Sequence, residues 1–149
     1  ETTVLGGAGN VINNLNALGA KVSVASVIGD DDNGIELLQM LKDINVDTEN
    51  IITQALRKTS KKSRVIAVSQ QILRYDKESK EEIENSSVDT ILNSLTNSVS
   101  SFDIVILSDY GKGVLTDNLC QKIIKLCNEN NVKVLVDPKG SDYSKYEGA

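Results

Sequence analysis

Asp103-Ile104-Val105-Ile106-Leu107-Ser108-Asp109-Tyr110-Gly111-Lys112-Gly113 carries the reading of the fold. It begins with a short β-branched apolar run, Ile104 to Leu107, of the kind covered on both faces in a parallel sheet. The run stops at Ser108 and Asp109, and a loop with two glycines follows. In open α/β sheets, ligands bind just outside the carboxyl ends of the strands. Asp109 and Lys112 are therefore candidates for substrate contacts. The glycines let the backbone turn sharply and come close to a ligand. An ordinary strand-to-helix turn with a local Asp109–Lys112 pair fits the same residues, so the flanking segments must decide.

Downstream, Thr116 is placed to cap a helix that carries Leu119, Ile123, Leu126 and Cys127 inward. Val132 to Val136 is a second buried strand, and it ends in Asp137-Pro138-Lys139-Gly140. Two adjacent parallel strands would bring Asp109, Lys112, Asp137 and Lys139 to one sheet edge. Ordinary turns do not predict that convergence. Upstream, Val88, Ile91, Leu92, Leu95 and Val99 mark an amphipathic helix. Before it lies a charged link, Lys77 to Asn85.

The middle of the chain is of another kind. Arg57 opens a polar, basic stretch. Val65 to Ser69 and Ile72 to Tyr75, turning at Gln70-Gln71, read as a β-hairpin that brings in Arg64 and Arg74. Solvated edge charges that block aggregation explain Lys58, Lys61 and Lys62. For Arg74 a phosphate contact is the sharper reading, since a guanidinium clamps phosphate bidentately.

At the start, Gly6-Gly7-Ala8-Gly9-Asn10 runs into a helix marked by Val11, Ile12, Leu15 and Leu18, with Gly19 as its stop. A glycine-rich turn at a helix N-terminus exposes backbone N–H groups and suits a sugar hydroxyl, a phosphate or a carboxylate. No Gly-Lys-Ser/Thr follows, and Ile12 stands where a dinucleotide fingerprint needs its third glycine. A flexible entry to a packed helix is the plain alternative. Lys21 to Ile28 and Val46 to Ile52 read as strands. Between them Gly29-Asp30-Asp31-Asp32 caps a helix that buries Ile35, Leu38, Leu41 and Ile44, and capping with the helix dipole explains the acidic run better than metal binding does. The β-α-β-α alternation predicts an α/β fold with a mainly parallel sheet.

Composition narrows the classes. The chain has 149 residues, enough for one domain with a real core. A net charge of −5 and few aromatics argue against a nucleic-acid partner. No apolar run has membrane-spanning length and no signal pattern opens the chain, which points to the cytoplasm. Cys120 and Cys127 lie one heptad apart on a helix, about 10 Å along its axis and too far to bridge. With no histidine, acid–base work falls to carboxylates.

Leu5-Gly6-Gly7-Ala8-Gly9-Asn10-Val11, Val27-Ile28-Gly29-Asp30-Asp31, Ser108-Asp109-Tyr110-Gly111-Lys112-Gly113 and Val136-Asp137-Pro138-Lys139-Gly140 resemble the ribokinase-like, phosphofructokinase-B type sugar kinases. Within them the match is closest to the D-glycero-β-D-manno-heptose-7-phosphate kinases of lipopolysaccharide synthesis. The resemblance implies a three-layer α/β/α, Rossmann-like sheet with a small β lid that often makes a homodimer. It implies that residues 1–149 are the central part of one kinase domain, with the sugar-binding first strand before Glu1. The general base, in a Gly-Ala-Gly-Asp turn, would lie beyond Ala149, so no catalytic residue is expected here and the chain by itself is expected to be inactive. Gly6, Gly7, Asn10, Arg74, Asp109 and Lys112 would face the sugar and its phosphate. Asp137 and Lys139 would lie toward the phosphates of ATP and the accompanying Mg2+, with no metal ligand assigned. The family reaction would place the γ-phosphoryl of ATP on O1 of the heptose phosphate, and an adenylyltransferase domain can be fused behind the kinase. Another carbohydrate or nucleoside kinase of this type, or a non-catalytic sugar- or nucleotide-binding α/β module, remains the alternative. Neither nucleic acid nor membrane is an expected partner.

Overall fold

A computed structural model of the chain describes residues 2–149. Helix α1 (Ala8–Ala17) is followed by strand β1 (Ser23–Gly29), helix α2 (Asp32–Asp43) and strand β2 (Asp47–Gln54). A hairpin of β3 (Lys61–Ala67) and β4 (Gln70–Lys77) comes next. Helix α3 (Asn85–Ser98), strand β5 (Ile104–Ser108), helix α4 (Asp117–Glu129) and strand β6 (Lys133–Asp137) complete the regular elements.

β1 pairs with β2 in parallel, and β5 pairs with β6 in parallel with Ser108 opposite Asp137. Both crossovers are helical, as parallel pairing requires. Val27 and Ile28 are successive buried residues of β1 and so point to opposite faces. Val27 joins the core with Val88 and Ile91 of α3, whereas Ile28 meets Gly34 of α2. The β1–β2 pair is thus sandwiched between two helices, which is the three-layer arrangement expected.

Helix ends follow local chemistry. Asp31 caps α2 by accepting from the Gly34 N–H at 3.0 Å, and Thr116 caps α4 by accepting from the Leu119 N–H at 3.1 Å. On α4 the stripe of Leu119, Cys120, Ile123, Ile124 and Cys127 is buried. Both cysteines are free thiols, and burial pushes the Cys120 thiol up to about 11.

Four expectations need correction. The hairpin turns at Val68-Ser69 and not at Gln70-Gln71, because both residues take positive φ, 47° and 67°, as a two-residue hairpin turn of the primed type demands. Ile35 is 69% exposed, since α2 turns Leu41 and Gly34 to the sheet instead. The stripe of α1 holds no buried residue, and Leu18 is exposed. The β5–β6 pair is covered on one face only: Leu107 enters the core, while Ile104 and Leu135 stay largely exposed. Among the described residues no helix is long and apolar enough to cross a membrane.

Candidate active site

The carboxyl ends of β5 and β6 lie side by side, and the Asp109 N–H donates to the Asp137 carbonyl at 2.9 Å. The strand-end loops therefore converge as parallel pairing predicts. Gly111 takes φ 63° and Gly113 φ 75°, which turns the loop back over the sheet edge. A Cβ on Gly111 would stand 3.4 Å from Lys139 Cγ, so the second loop's lysine lies against the first loop. Ser108 Oγ donates to Asp137 Oδ2 at 3.5 Å, a long contact that leaves the carboxylate mostly free.

Gly7 completes one wall. Its φ is 53°, and a Cβ there would lie 3.6 Å from the Tyr110 ring. The glycine-rich turn thus stands against the Asp109–Gly113 loop, with Gly6 open beside it and Asn10 exposed in the first turn of α1. No side chain caps α1 at Gly7, so the helix start presents backbone alone.

Asp109 is buried, and its partner is not Lys112. Oδ2 accepts from Lys145 Nζ at 2.6 Å and from the Tyr146 hydroxyl at 2.6 Å, and Oδ1 accepts from the Gly111 N–H at 2.7 Å. Burial raises the Asp109 carboxyl, but these three donors outweigh it and hold the group below the usual carboxylate range. The local Asp109–Lys112 pair does not form, because the glycine turn carries Lys112 away to another carboxylate. Lys112 Nζ meets Glu78 Oε1 at 2.7 Å, and that bond, opposed by burial, lowers the Glu78 carboxyl. Glu78 Oε2 is buried without a hydrogen-bond partner among the described residues.

Arg74 sits on the hairpin, bidentate on Asp76 at 2.8 and 2.7 Å. Glu78 directly follows β4, so its bond to Lys112 Nζ ties the end of the hairpin to the Lys112 loop. Arg64 lies directly across the ladder from Arg74. Among the described residues no group of three or more acidic or thiol side chains gathers so as to hold a metal ion.

Residues 1–148 match the family described as pfkB family carbohydrate kinase. The chain belongs to this family. It is 69% identical over its 149 residues to the bifunctional protein HldE of Sulfurimonas denitrificans, covering all of this chain and 31% of that protein. The bifunctional protein HldE of Aliarcobacter butzleri is 56% identical over the same span. The chain thus spans about a third of the length of these relatives. Solved structures of other proteins share the fold. The inhibited tetramer of phosphofructokinase-2 from Escherichia coli superposes with a TM-score of 0.65 at 18% identity, over 95% of this chain and 45% of that one. The fructokinase of Xylella fastidiosa gives 0.63 at 16%, over 95% and 46%.

Four residues around this sheet edge were not singled out in the sequence. Lys145 and Tyr146 reach Asp109 from a short turn of helix, Ser144–Tyr146, near the end of the chain. Glu78 sits in what read as a charged link. Arg57, buried at 7% exposure, read only as the start of a basic stretch.

Proposed function

We propose that the full-length protein containing this chain phosphorylates a sugar phosphate with ATP. The substrate is D-glycero-β-D-manno-heptose 7-phosphate, which becomes the 1,7-bisphosphate, a precursor of the lipopolysaccharide core. Membership of a carbohydrate kinase family, together with two cationic loops meeting at one sheet edge, carries the reading. Phosphoryl transfer asks a protein mainly for positioning and for neutralising charge, and this edge has both means.

In this reading Gly6, Gly7 and Asn10 present backbone and amide to sugar hydroxyls. Asp109 spends three of its acceptor positions inside the protein and offers the remaining one to the sugar. Lys112 and Arg74 meet the sugar phosphate by exchanging their carboxylate partners for it. Asp137 and Lys139 lie toward the phosphates of ATP, whose Mg2+ would neutralise charge on the transferring group. The general base belongs to a part of the kinase domain outside this chain, and the bifunctional relatives support a second, fused domain. The exposed apolar side chains of the hairpin, Val65, Leu73 and Tyr75, support a homodimer joined through the lid. The reaction is cytoplasmic in this account.

The test is kcat/KM of the full-length protein for heptose 7-phosphate, its unphosphorylated analogue, fructose 6-phosphate and a nucleoside, at fixed ATP and Mg2+. Heptose 7-phosphate is expected to lead. Lys112→Ala and Arg74→Ala should each lower its use about tenfold to a hundredfold more than that of the analogue, the loss from one hydrogen bond to a charged group. Equal losses on both sugars would remove these side chains from the sugar phosphate. No turnover of any sugar would favour a binding module.

A further inference from the structure

Arg57 belongs to none of the sequence motifs used above, yet it is the one arginine buried among the described residues. Its guanidinium donates to the Glu81 carbonyl at 3.1 Å and to the Lys112 carbonyl. A planar guanidinium can span two separate acceptors in this way, whereas a lysine ammonium is a single point. Both acceptors are backbone, so Arg57 controls where two chain segments run.

Those segments are the ones that matter for a lid. The chain leaves the body for the hairpin through residues 57–60 and returns through 78–83. The outgoing segment is tied down by Thr59 Oγ1, which accepts from the Gly29 N–H at 2.9 Å. It is tied to the returning one by the Lys58 N–H, which donates to Ser79 Oγ at 2.9 Å. The returning segment is strapped in turn to the strand-end loop. The Ile83 N–H donates to the Gly113 carbonyl at 3.0 Å, and any Cβ on Gly113 would overlap the Glu81 carbonyl. Glu78, the ion partner of Lys112, rides on the same returning segment.

We propose that Arg57 is a positioning residue that locks both lid crossings to the loop carrying Lys112, so that lid and loop meet the sugar as one unit. It acts through the Lys112 and Glu81 backbone and touches neither sugar nor nucleotide. The inference rests on the kinase reading for its kinetic consequence, but not for its structural one.

The experiment compares full-length wild type, Arg57→Ala and Arg57→Lys in steady-state kinetics and amide hydrogen exchange. In Arg57→Ala the KM for sugar phosphate should rise about tenfold while that for ATP stays within about twofold, as loss of one set of hydrogen bonds local to the sugar side implies. Amides of 79–83 and 111–114 should exchange about tenfold faster or more, while those of α4 keep their rates. Arg57→Lys should fall short of wild type in the same direction, since an ammonium lacks the two separated donor nitrogens that hold the two carbonyls. It also serves if the alanine variant does not fold. Sugar and ATP KM rising together, exchange accelerated throughout the protein, or a lysine variant equal to wild type would each overturn the proposal. If wild type turns over no sugar, the kinase reading fails by itself. The exchange comparison then decides alone, and unchanged rates in the two segments would refute Arg57 as their lock.

Discussion

Asp109→Asn should destabilise the protein although the two side chains are nearly the same size. The side chain is 4% exposed and serves three donors: Lys145, Tyr146 and the Gly111 N–H. An amide in its place puts an NH2 group among donors and leaves Lys145 without a counter-ion. Breaking a buried pair on one side costs about 3–5 kcal/mol. Lys145 is 21% exposed, so water can recover part of its solvation, and the lower end, about 3 kcal/mol, is expected. For a domain of this class that is a drop of about 6–12 °C in Tm. The Asp109 carboxyl is depressed in the folded state, so its contribution is present above the ordinary carboxylate pKa, about 3.9, and is lost as pH falls through the lower folded value. The gap between wild type and variant should therefore be full at pH 7 and shrink below about pH 4. The assay is thermal unfolding of both full-length proteins from pH 3 to 8. A variant within about 2 °C of wild type at pH 7, or a gap that widens in acid, would refute the account of Asp109 as an internal anchor.

Gly113→Ala should cost at least about 2 kcal/mol, because φ 75° strains any side chain and its Cβ would overlap the Glu81 carbonyl. Denaturant unfolding of the full-length protein checks this, and a loss near zero would contradict the close approach. Leu73→Lys, on the hairpin's exposed apolar face at 56% exposure, should convert a lid-joined dimer to monomer without unfolding it. Light scattering with circular dichroism reads both, and an unchanged mass would place the dimer contact elsewhere or nowhere.

The order of elements was legible in the residues because it depends on neighbours in the chain. Helical stripes such as Leu119, Ile123 and Cys127 repeat within two turns, and the caps Asp31 and Thr116 act over three residues. Parallel pairing of β5 with β6 followed from two short apolar runs joined by a helix. It carried Asp109 and Asp137 to one edge without any knowledge of side chains. The hairpin was legible too, but its turn was misplaced. The turn was expected at Gln70-Gln71, while backbone twist put Val68 and Ser69 in the left-handed region.

The partners inside the site were decided only by tertiary structure. Asp109 could have met Lys112, three residues away, but the positive φ of Gly111 sends Lys112 to Glu78, 34 positions back, and leaves Asp109 to Lys145, 36 positions on. Arg57 reaches the Lys112 carbonyl across 55 positions. Pairing at such separations is set by how the segments pack, because any carboxylate can accept from any cation and no periodicity marks the choice. Local pattern therefore determined the elements and the sheet edge where the loops gather. Packing alone determined which charge faces which, and which arginine holds the loops together.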